Sequence, residues 1–222
     1  LTVGCFRNYR VAYETACRNA MPSPAADSLC GLDFGARTAG TTVLVWNGRD
    51  GRLHLRACPC QTDADAWLER LLMPRPPRLV AIDAPLSLPR AYCCTDPGNA
   101  PDFFFRAADR LAGAMSPLFL GGLTARAVAL AHRLRRRGST VLETYPRLVV
   151  QRRLPENLQA RYRHDDPETF ARDLLPLLPQ PCAEPPTSWH DVDALLAWWT
   201  AWRYAHHQAA SLGDPDEGLI WY

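Results

Sequence analysis

Acidic residues close three short apolar runs of the chain, and a further acid follows a histidine at helical spacing. Asp33, Asp83 and Glu143 each end a run that predicts a β-strand. His190 and Asp193 are three residues apart, so they lie on one face of a predicted helix. Carboxylates from separate elements can therefore meet an imidazole at one edge of a sheet and form a metal site.

Such a group suits the hydrolysis of a phosphodiester bond. Two hard cations about 3.5–4 Å apart stabilise charge on both the attacking and the leaving oxygen. Magnesium prefers oxygen ligands and keeps several waters, so a few carboxylates suffice. Each residue also has a structural interpretation, because a strand-end Asp often closes a turn and Glu143 can pair with an arginine such as Arg147.

The first half of the chain predicts an antiparallel meander followed by a helix and a central strand. The three strands of the meander are 28–34, 41–46 and 52–57, with a hairpin turn at Asn47–Gly51. A helix is predicted from Thr62, with Asp65 placed for a capping box. The run 78–83 is nearly continuously apolar, as expected of a central strand buried on both faces, and it ends at Asp83.

The second half predicts helices around one more strand. The predicted elements are helices near 102–112 and 123–137, a strand at 139–143, a partly helical region at 144–188 and a final helix at 189–207. Ser188 and Asp191 have the spacing of a capping box, which leaves Asp193 for another role. Ala194, Ala197 and Ala201 continue the face of His190, so the last helix can approach the sheet closely. This order predicts one mixed sheet with helices on its faces.

Length and composition favour a single domain. The chain has 222 residues, enough for one substantial core. No apolar run is long enough to span a bilayer, and charged residues such as Arg7 and Glu14 exclude a secretory signal in residues 1–20. We expect a cytoplasmic protein with one domain at 28–222 and an N-terminal extension at 1–27, and Met21 has the context of a natural start.

The cysteines allow two interpretations. There are eight of them, and without an export signal reduced thiols are the expectation. The alternative is a zinc site formed by Cys58-Pro59-Cys60 together with Cys93-Cys94, although this spacing is not a standard zinc pattern.

Positive charge is carried by arginine alone and is unevenly distributed. All 25 basic residues are arginine. The segment 110–163 holds eleven arginines and two acids, whereas 164–222 holds two arginines and ten acids. A basic segment beside an acidic one suits a nucleic-acid groove next to a metal site. For the cluster at 133–137, a solvated helix C-terminus explains the pattern equally well. The oligomeric state stays open.

Several segments resemble a widespread prokaryotic family. They are Gly31-Leu32-Asp33-Phe34-Gly35, Ala81 to Pro89, Leu142-Glu143-Thr144-Tyr145-Pro146 and His190 to Leu195. The chain from about Leu29 onward is similar to domain-of-unknown-function family 429, described as predicted nucleases of the RNase H fold. The resemblance implies a ribonuclease-H-like α/β fold: a mixed five-stranded sheet, antiparallel in strands 1–3 and parallel in strands 4 and 5, with helices on both faces and helical insertions.

A more distant resemblance is to the RuvC-type Holliday-junction resolvases. It implies that Asp33, Asp83, His190 and Asp193 bind Mg²⁺ or Mn²⁺ in a two-metal site of a nuclease. Asp33 would orient the attacking water, His190 would be a ligand or proton shuttle, and Glu143 would be a peripheral acid. Asp83 departs from the pattern, since those resolvases have Glu there.

Two arginines are further candidates for binding residues. Arg106 and Arg126 fit contacts to phosphate or substrate, and they fit salt-bridge partners at the edge of the core equally well.

Two other functions stay open. Asp33-Phe34-Gly35, followed by Thr38, Thr41 and Thr42, resembles the first phosphate loop of the actin–hexokinase ATPases, but the chain has one copy of the fold and no second Gly-rich motif. Alternatively, the fold serves as a non-catalytic binding module, because a fold does not fix a function.

Overall fold

The computed structural model describes residues 24–93 and 102–222. Seven strands are present in these residues: β1 (Leu29–Asp33), β2 (Val43–Asn47), β3 (Leu53–Ala57), β4 (Leu79–Asp83), β5 (Thr140–Thr144), β6 (Ser211–Asp214) and β7 (Gly218–Trp221). The described helices are α1 (Ala64–Leu72), α2 (Ala107–Ala112), α3 (Pro117–Leu120), α4 (Gly122–Arg136), α5 (Pro146–Arg153), α6 (Glu156–Gln159), α7 (Pro167–Leu174) and α8 (Trp189–Ala205). Short 3₁₀ turns lie at Arg90–Tyr92 and Leu175–Leu177.

The strands form one mixed sheet in the order β3-β2-β1-β4-β5-β7-β6. β1, β2 and β3 are antiparallel neighbours, whereas β4 runs parallel to β1 and β5 runs parallel to β4. The predicted ribonuclease-H-like arrangement of five strands is therefore confirmed. The sheet extends further, because β7 adds parallel to β5 and β6 closes the edge as an antiparallel strand.

Side chains alternate between two helical layers. In β1, Leu29 packs into the core below α8, whereas Cys30 and Leu32 pack into the opposite core below α1 and α4. Asp33 continues the α8 side of β1 by the same alternation. β4 repeats the pattern, which places Asp83 on the α8 side as well.

Helix α8 lies directly on β1 at a glycine. A Cβ atom added to Gly31 would lie 2.0 Å from the backbone nitrogen of Trp198 and 2.3 Å from the carbonyl oxygen of Ala194. No real side chain fits in such a space, so the helix and strand backbones touch here. The small residues predicted on this face of the last helix therefore do allow a close approach.

The start of α8 is confirmed as predicted. Ser188 accepts a hydrogen bond from the N–H of Asp191, whose carboxylate accepts in turn from the N–H of Ser188. This reciprocal cap fixes the first turn of α8. The orientation of the first turn decides where His190 and Asp193 lie.

Two local predictions need correction. The capping box between Thr62 and Asp65 does not form, because Asp63 caps α1 by accepting from the N–H groups of Asp65 and Ala66. The helix predicted at 102–112 begins only at Ala107, since Asp102 instead binds the N–H groups of Phe104 and Phe105 in a turn.

The predicted N-terminal extension, 1–27, lies mostly outside the described residues and stays a prediction. None of the described helices is long and apolar enough to cross a membrane.

Gly31→Ala tests the close approach of α8 to β1. We expect a loss of more than about 4 kcal/mol in the free energy of unfolding, or failure to fold, because backbone atoms block the new methyl group. Gly122→Ala is the matched control, since nothing lies within 4 Å of its added Cβ. Urea denaturation measures both variants, and a Gly31→Ala protein as stable as the control would contradict the interpretation.

Candidate functional site

Asp33 and Asp83 lie side by side at the carboxyl ends of two parallel strands. They are register partners of β1 and β4, and both belong to the α8 side of the sheet. Asp33 is 8% exposed, and Asp83 is partly exposed. Two carboxylates thus share one small region.

Helix α8 adds the other two predicted residues. His190 Nδ1 lies 2.7 Å from Asp33 Oδ2. Asp193 is 2% exposed and its carboxylate accepts hydrogen bonds from the Tyr162 hydroxyl, at 2.6 Å, and from the Arg163 guanidinium. The structure therefore brings together the four predicted ligands, Asp33, Asp83, His190 and Asp193.

Burial and mutual repulsion perturb the titration of this group. Burial raises the pKa of Asp193 to about 7 and raises that of Asp33, despite the hydrogen bond from His190. Burial, followed by the negative charges of Asp33 and Asp193, raises the pKa of Asp83 well above its usual value. The hydrogen bond to Asp33 raises the pKa of His190. Perturbed acids of this kind cluster at functional sites.

Asp83 differs from the other two acids in its partners. Within the described residues, its carboxylate has no hydrogen bond or ion pair. The charges that act on it are those of Asp33, Asp193 and Glu143, which raise its pKa, and that of Arg163, which lowers it. An unpaired carboxylate among like charges is costly in the folded state. A cation at this point would remove that cost.

The donor set fits magnesium or manganese by its chemistry. Three carboxylates and one imidazole supply hard oxygen ligands and one nitrogen. The described residues contain no group of three or more His, Cys, Asp or Glu side chains that could hold an ion. As they stand, the four side chains therefore form no complete protein cage, and an ion at this edge of the sheet would need waters or substrate phosphates as further ligands.

Arg163 is a cation that sequence reasoning missed. It pairs with Asp193 and also acts electrostatically on Asp33, Asp83 and His190. Its backbone is in the left-handed region with φ of 65°, which is uncommon for a residue other than glycine. The sequence signal was the Arg-Tyr-Arg triplet at 161–163, within a region whose fold the pattern did not resolve.

Glu143 lies on the opposite face of the sheet from the other acids. β5 continues to Thr144, and Thr144 rather than Glu143 is the register partner of Asp83. Glu143 is buried and accepts from the Leu86 N–H at 2.8 Å. Its ion-pair partner is Arg106, not the Arg147 considered from the sequence.

Arg106 is fully buried and uses all five of its N–H donors within the protein. The guanidinium donates to both oxygens of Asp109, to both oxygens of Glu143 and to the Ser87 hydroxyl, over 2.5–3.1 Å. Burial alone would lower the pKa of Arg106, but Glu143 and Asp109 raise it. The network ties α2 to β5, so it has a structural role.

Arg126 is likewise engaged by its neighbours. It forms a two-pronged ion pair with Asp65 and donates to the carbonyl of Gly35 at 3.1 Å. Its guanidinium also lies 4.8 Å from the centre of the Phe34 ring. The hydrogen bonds from Arg126 lower the pKa of Asp65. Arg126 therefore braces α1 and α4 behind the loop that follows Asp33.

The arginines at 133–137 lie at the other end of the sheet from the acids. They end α4, which leads directly into the amino end of β5 at Thr140, whereas the acids lie at the carboxyl ends of β1 and β4. Arg147 and Arg163 are the basic residues of the segment that lie near the acids, because both line a cavity with Asp83 and Asp193.

The cysteines described by the structure are free thiols at Cys30, Cys58, Cys60, Cys93 and Cys182. Cys58, Cys60 and Cys93 belong to no group of possible metal ligands in the described part of the chain. Cys94, the remaining residue of the zinc alternative, lies outside the described residues.

Comparisons with known proteins add little to this geometry. Neither known protein families nor curated proteins gave a match, so the resemblance to family 429 is without support from that comparison. The crystal structure of the yeast mitochondrial Holliday junction resolvase Ydc2 is similar, with a TM-score of 0.42, 10% sequence identity and coverage of 84% of each chain.

Asp83→Asn should stabilise the metal-free protein. Because the pKa of Asp83 is raised, the folded state binds more protons than the unfolded state, and stability falls as pH rises above the usual aspartate range. Removing the ionisable group should raise Tm at pH 8 in EDTA by about 2–4 °C, the shift that about 1 kcal/mol causes in a chain of this size. The gain should shrink as pH falls towards 4.

Asp102→Asn is the matched control with the opposite sign. Hydrogen bonds from the Phe105 N–H and Arg110 lower the pKa of Asp102 to about 2, so its ionised form stabilises the fold and its loss should lower Tm. Calorimetric melting across pH measures both variants. A lower Tm for Asp83→Asn at pH 8 would contradict the interpretation of Asp83.

Arg106→Met tests the structural role of the buried network. Removing one partner of a buried ion pair costs about 3–5 kcal/mol, because Glu143 and Asp109 keep their burial without the cation. Arg110→Met is the control, because Arg110 is exposed and its pair with Asp102 lies at the surface, where such pairs contribute about 1 kcal/mol or less. Equal unfolding free energies for the two variants would refute the structural role.

Proposed function

We propose that this protein is a divalent-metal-dependent phosphodiesterase that acts on nucleic acid. The observation that carries the proposal is the convergence of Asp33, Asp83 and Asp193 with His190 at one edge of the sheet. The unpaired Asp83 among like charges is the strongest part of it. Such a group is costly for stability, and sites of this kind are maintained for function.

Asp33, Asp83 and Asp193 would hold Mg²⁺ or Mn²⁺, with His190 at the margin. When bound, the metal would supply charge stabilisation at the attacking and leaving oxygens of the phosphodiester. The chain's own residues set the geometry. The Asp33–His190 hydrogen bond orients both side chains, and the raised pKa of His190 keeps a proton available near the site.

Arg163 would bind the substrate phosphate. A guanidinium presents a planar fork that matches phosphate oxygens, and this one is half exposed at the mouth of the acid group. Contacts to phosphate position a nucleic acid without reading its sequence. We assign Arg106 and Glu143 to support of the site rather than to substrate binding or catalysis, since the described structure engages both in the buried network.

The nucleotide-phosphate alternative has less support. A phosphate loop needs free backbone N–H groups. At this turn, the N–H groups of Gly35 and Ala36 donate to the hydroxyls of Thr42 and Thr41, at 3.1 and 3.2 Å. The non-catalytic module remains the competing function, and metal binding distinguishes the two.

Calorimetric titration with Mg²⁺ and then Mn²⁺ tests the proposal. We expect binding by the wild type, and at least about a ten-fold loss of affinity in Asp33→Asn, because one carboxylate ligand is removed. Asp173→Asn should bind as the wild type does, since Asp173 pairs with Arg161 at the surface. A cleavage assay on labelled DNA and RNA should show activity that Asp33→Asn loses.

If the wild-type protein binds no metal at millimolar concentration with nucleic acid present, the enzyme proposal is wrong. The non-catalytic binding module would then be the better interpretation.

A further inference from the structure

Two cavities meet at the acid group. The first has a volume of about 490 Å³ and lies on the side of α5 and α6. The second has a volume of about 450 Å³ and lies between the acids and the α3–α4 region. Asp83, Tyr145 and Arg163 line both of them. A chain laid across this junction would have one unit in each cavity and its linkage over Asp83.

The size of the cavities limits what can enter. Both volumes lie in the range of about 300–1,000 Å³ that is typical of sites for small ligands. Each is suited to a single nucleotide rather than to a double helix. In a duplex the bases are stacked and paired inside, so a base reaches a pocket only after it has left the stack.

The first cavity has the chemistry of a nucleotide site. Arg147, Gln151 and His164 line it, and Arg147 and Gln151 are exposed to solvent there. The side-chain nitrogen of Gln159 donates to the Leu154 carbonyl at 2.7 Å, which fixes this amide and leaves its oxygen as an acceptor. Amide groups can bind base edges, and arginine can bind the phosphate.

The second cavity is lined by charged residues, including the buried network of Arg106, Asp109 and Glu143, and by a group of apolar side chains. Phe34, Met115, Leu120 and Leu123 line it. Met115 is 58% exposed although it belongs to an apolar wall. Apolar and aromatic surfaces bind the faces of unstacked bases with little sequence preference.

We propose that the substrate is single-stranded or locally unpaired nucleic acid, with one nucleotide in each cavity and the linking phosphate held by Arg163 over Asp83. This inference rests on the proposed function and specifies its substrate class. Arg163 is well placed for the linking phosphate, because it is the basic residue that both cavities share.

Binding in EDTA tests the inference apart from metal and cleavage. Fluorescence anisotropy would compare a labelled 12-nucleotide oligothymidylate with a 12-base-pair duplex at fixed low salt. We expect the single strand to bind at least about ten-fold more tightly. Arg147→Ala and Met115→Glu should each weaken single-strand binding by about five-fold or more, and both residues are exposed, so the fold should tolerate the changes.

Arg136→Ala is the matched control. Arg136 is an equally exposed arginine at the opposite end of the sheet, so single-strand affinity should stay within about two-fold of the wild type. If Arg136→Ala and Arg147→Ala lose single-strand affinity equally, the nucleic acid is attracted to basic residues in general, and the inference is wrong. Duplex binding as tight as single-strand binding would also overturn it.

The two proposals fail in different ways. Tight and selective single-strand binding without metal-dependent cleavage would support the two-cavity site and refute the proposed nuclease activity. Metal-dependent cleavage that prefers a continuous duplex would support the nuclease and overturn the substrate class.

Discussion

The contact between α8 and β1 at Gly31 is the constraint on which the site depends. Because the two backbones touch, the start of α8 cannot move relative to the end of β1 without opening the core. The reciprocal cap of Ser188 and Asp191 then fixes the first turn of the helix. His190 reaches Asp33 for this reason, although the two residues belong to different layers of the fold. A looser helix would leave the carboxylates at separate places on the sheet.

Electrostatics act against this arrangement. Burial and repulsion raise the pKa values of all three acids, so ionisation of the site at neutral pH lowers the stability of the fold. Arg163 offsets part of the repulsion, because it pairs with Asp193 and also lowers the pKa of Asp83, but Asp83 has no ion pair of its own in the described residues. Elsewhere the charges are balanced: Arg106 satisfies two buried acids and Arg126 satisfies Asp65. Acids that are paired with an arginine, such as Glu143 and Asp65, therefore support the fold. An acid without an ion pair, such as Asp83, is available for binding.

The sequence predicted the five central strands because apolar runs and turn signals are local properties. It also predicted the acids that meet, since a strand end and a helix start have fixed positions in a mixed sheet. It did not distinguish Glu143 from these acids. A shift of one residue in the register of β5 against β4 moves a side chain to the other face of the sheet, and Glu143 pairs with Ile82 rather than with Asp83. It could not find Arg163, whose place depends on an irregular segment and a left-handed backbone. The strands β6 and β7 are only four residues each, too short for a periodic signal.

The pairing of Asp33 with His190 joins residues 157 positions apart in the chain. Ribosomes add roughly 5–20 residues per second, so on the order of 8–31 s pass between the synthesis of Asp33 and that of His190. During that time the nascent chain carries Asp33 and Asp83 without the imidazole or the third carboxylate. The group can therefore form only after β1 to β5 and the start of α8 have all been made. The order of elements along the chain thus delays the meeting of these four side chains until α8 is made.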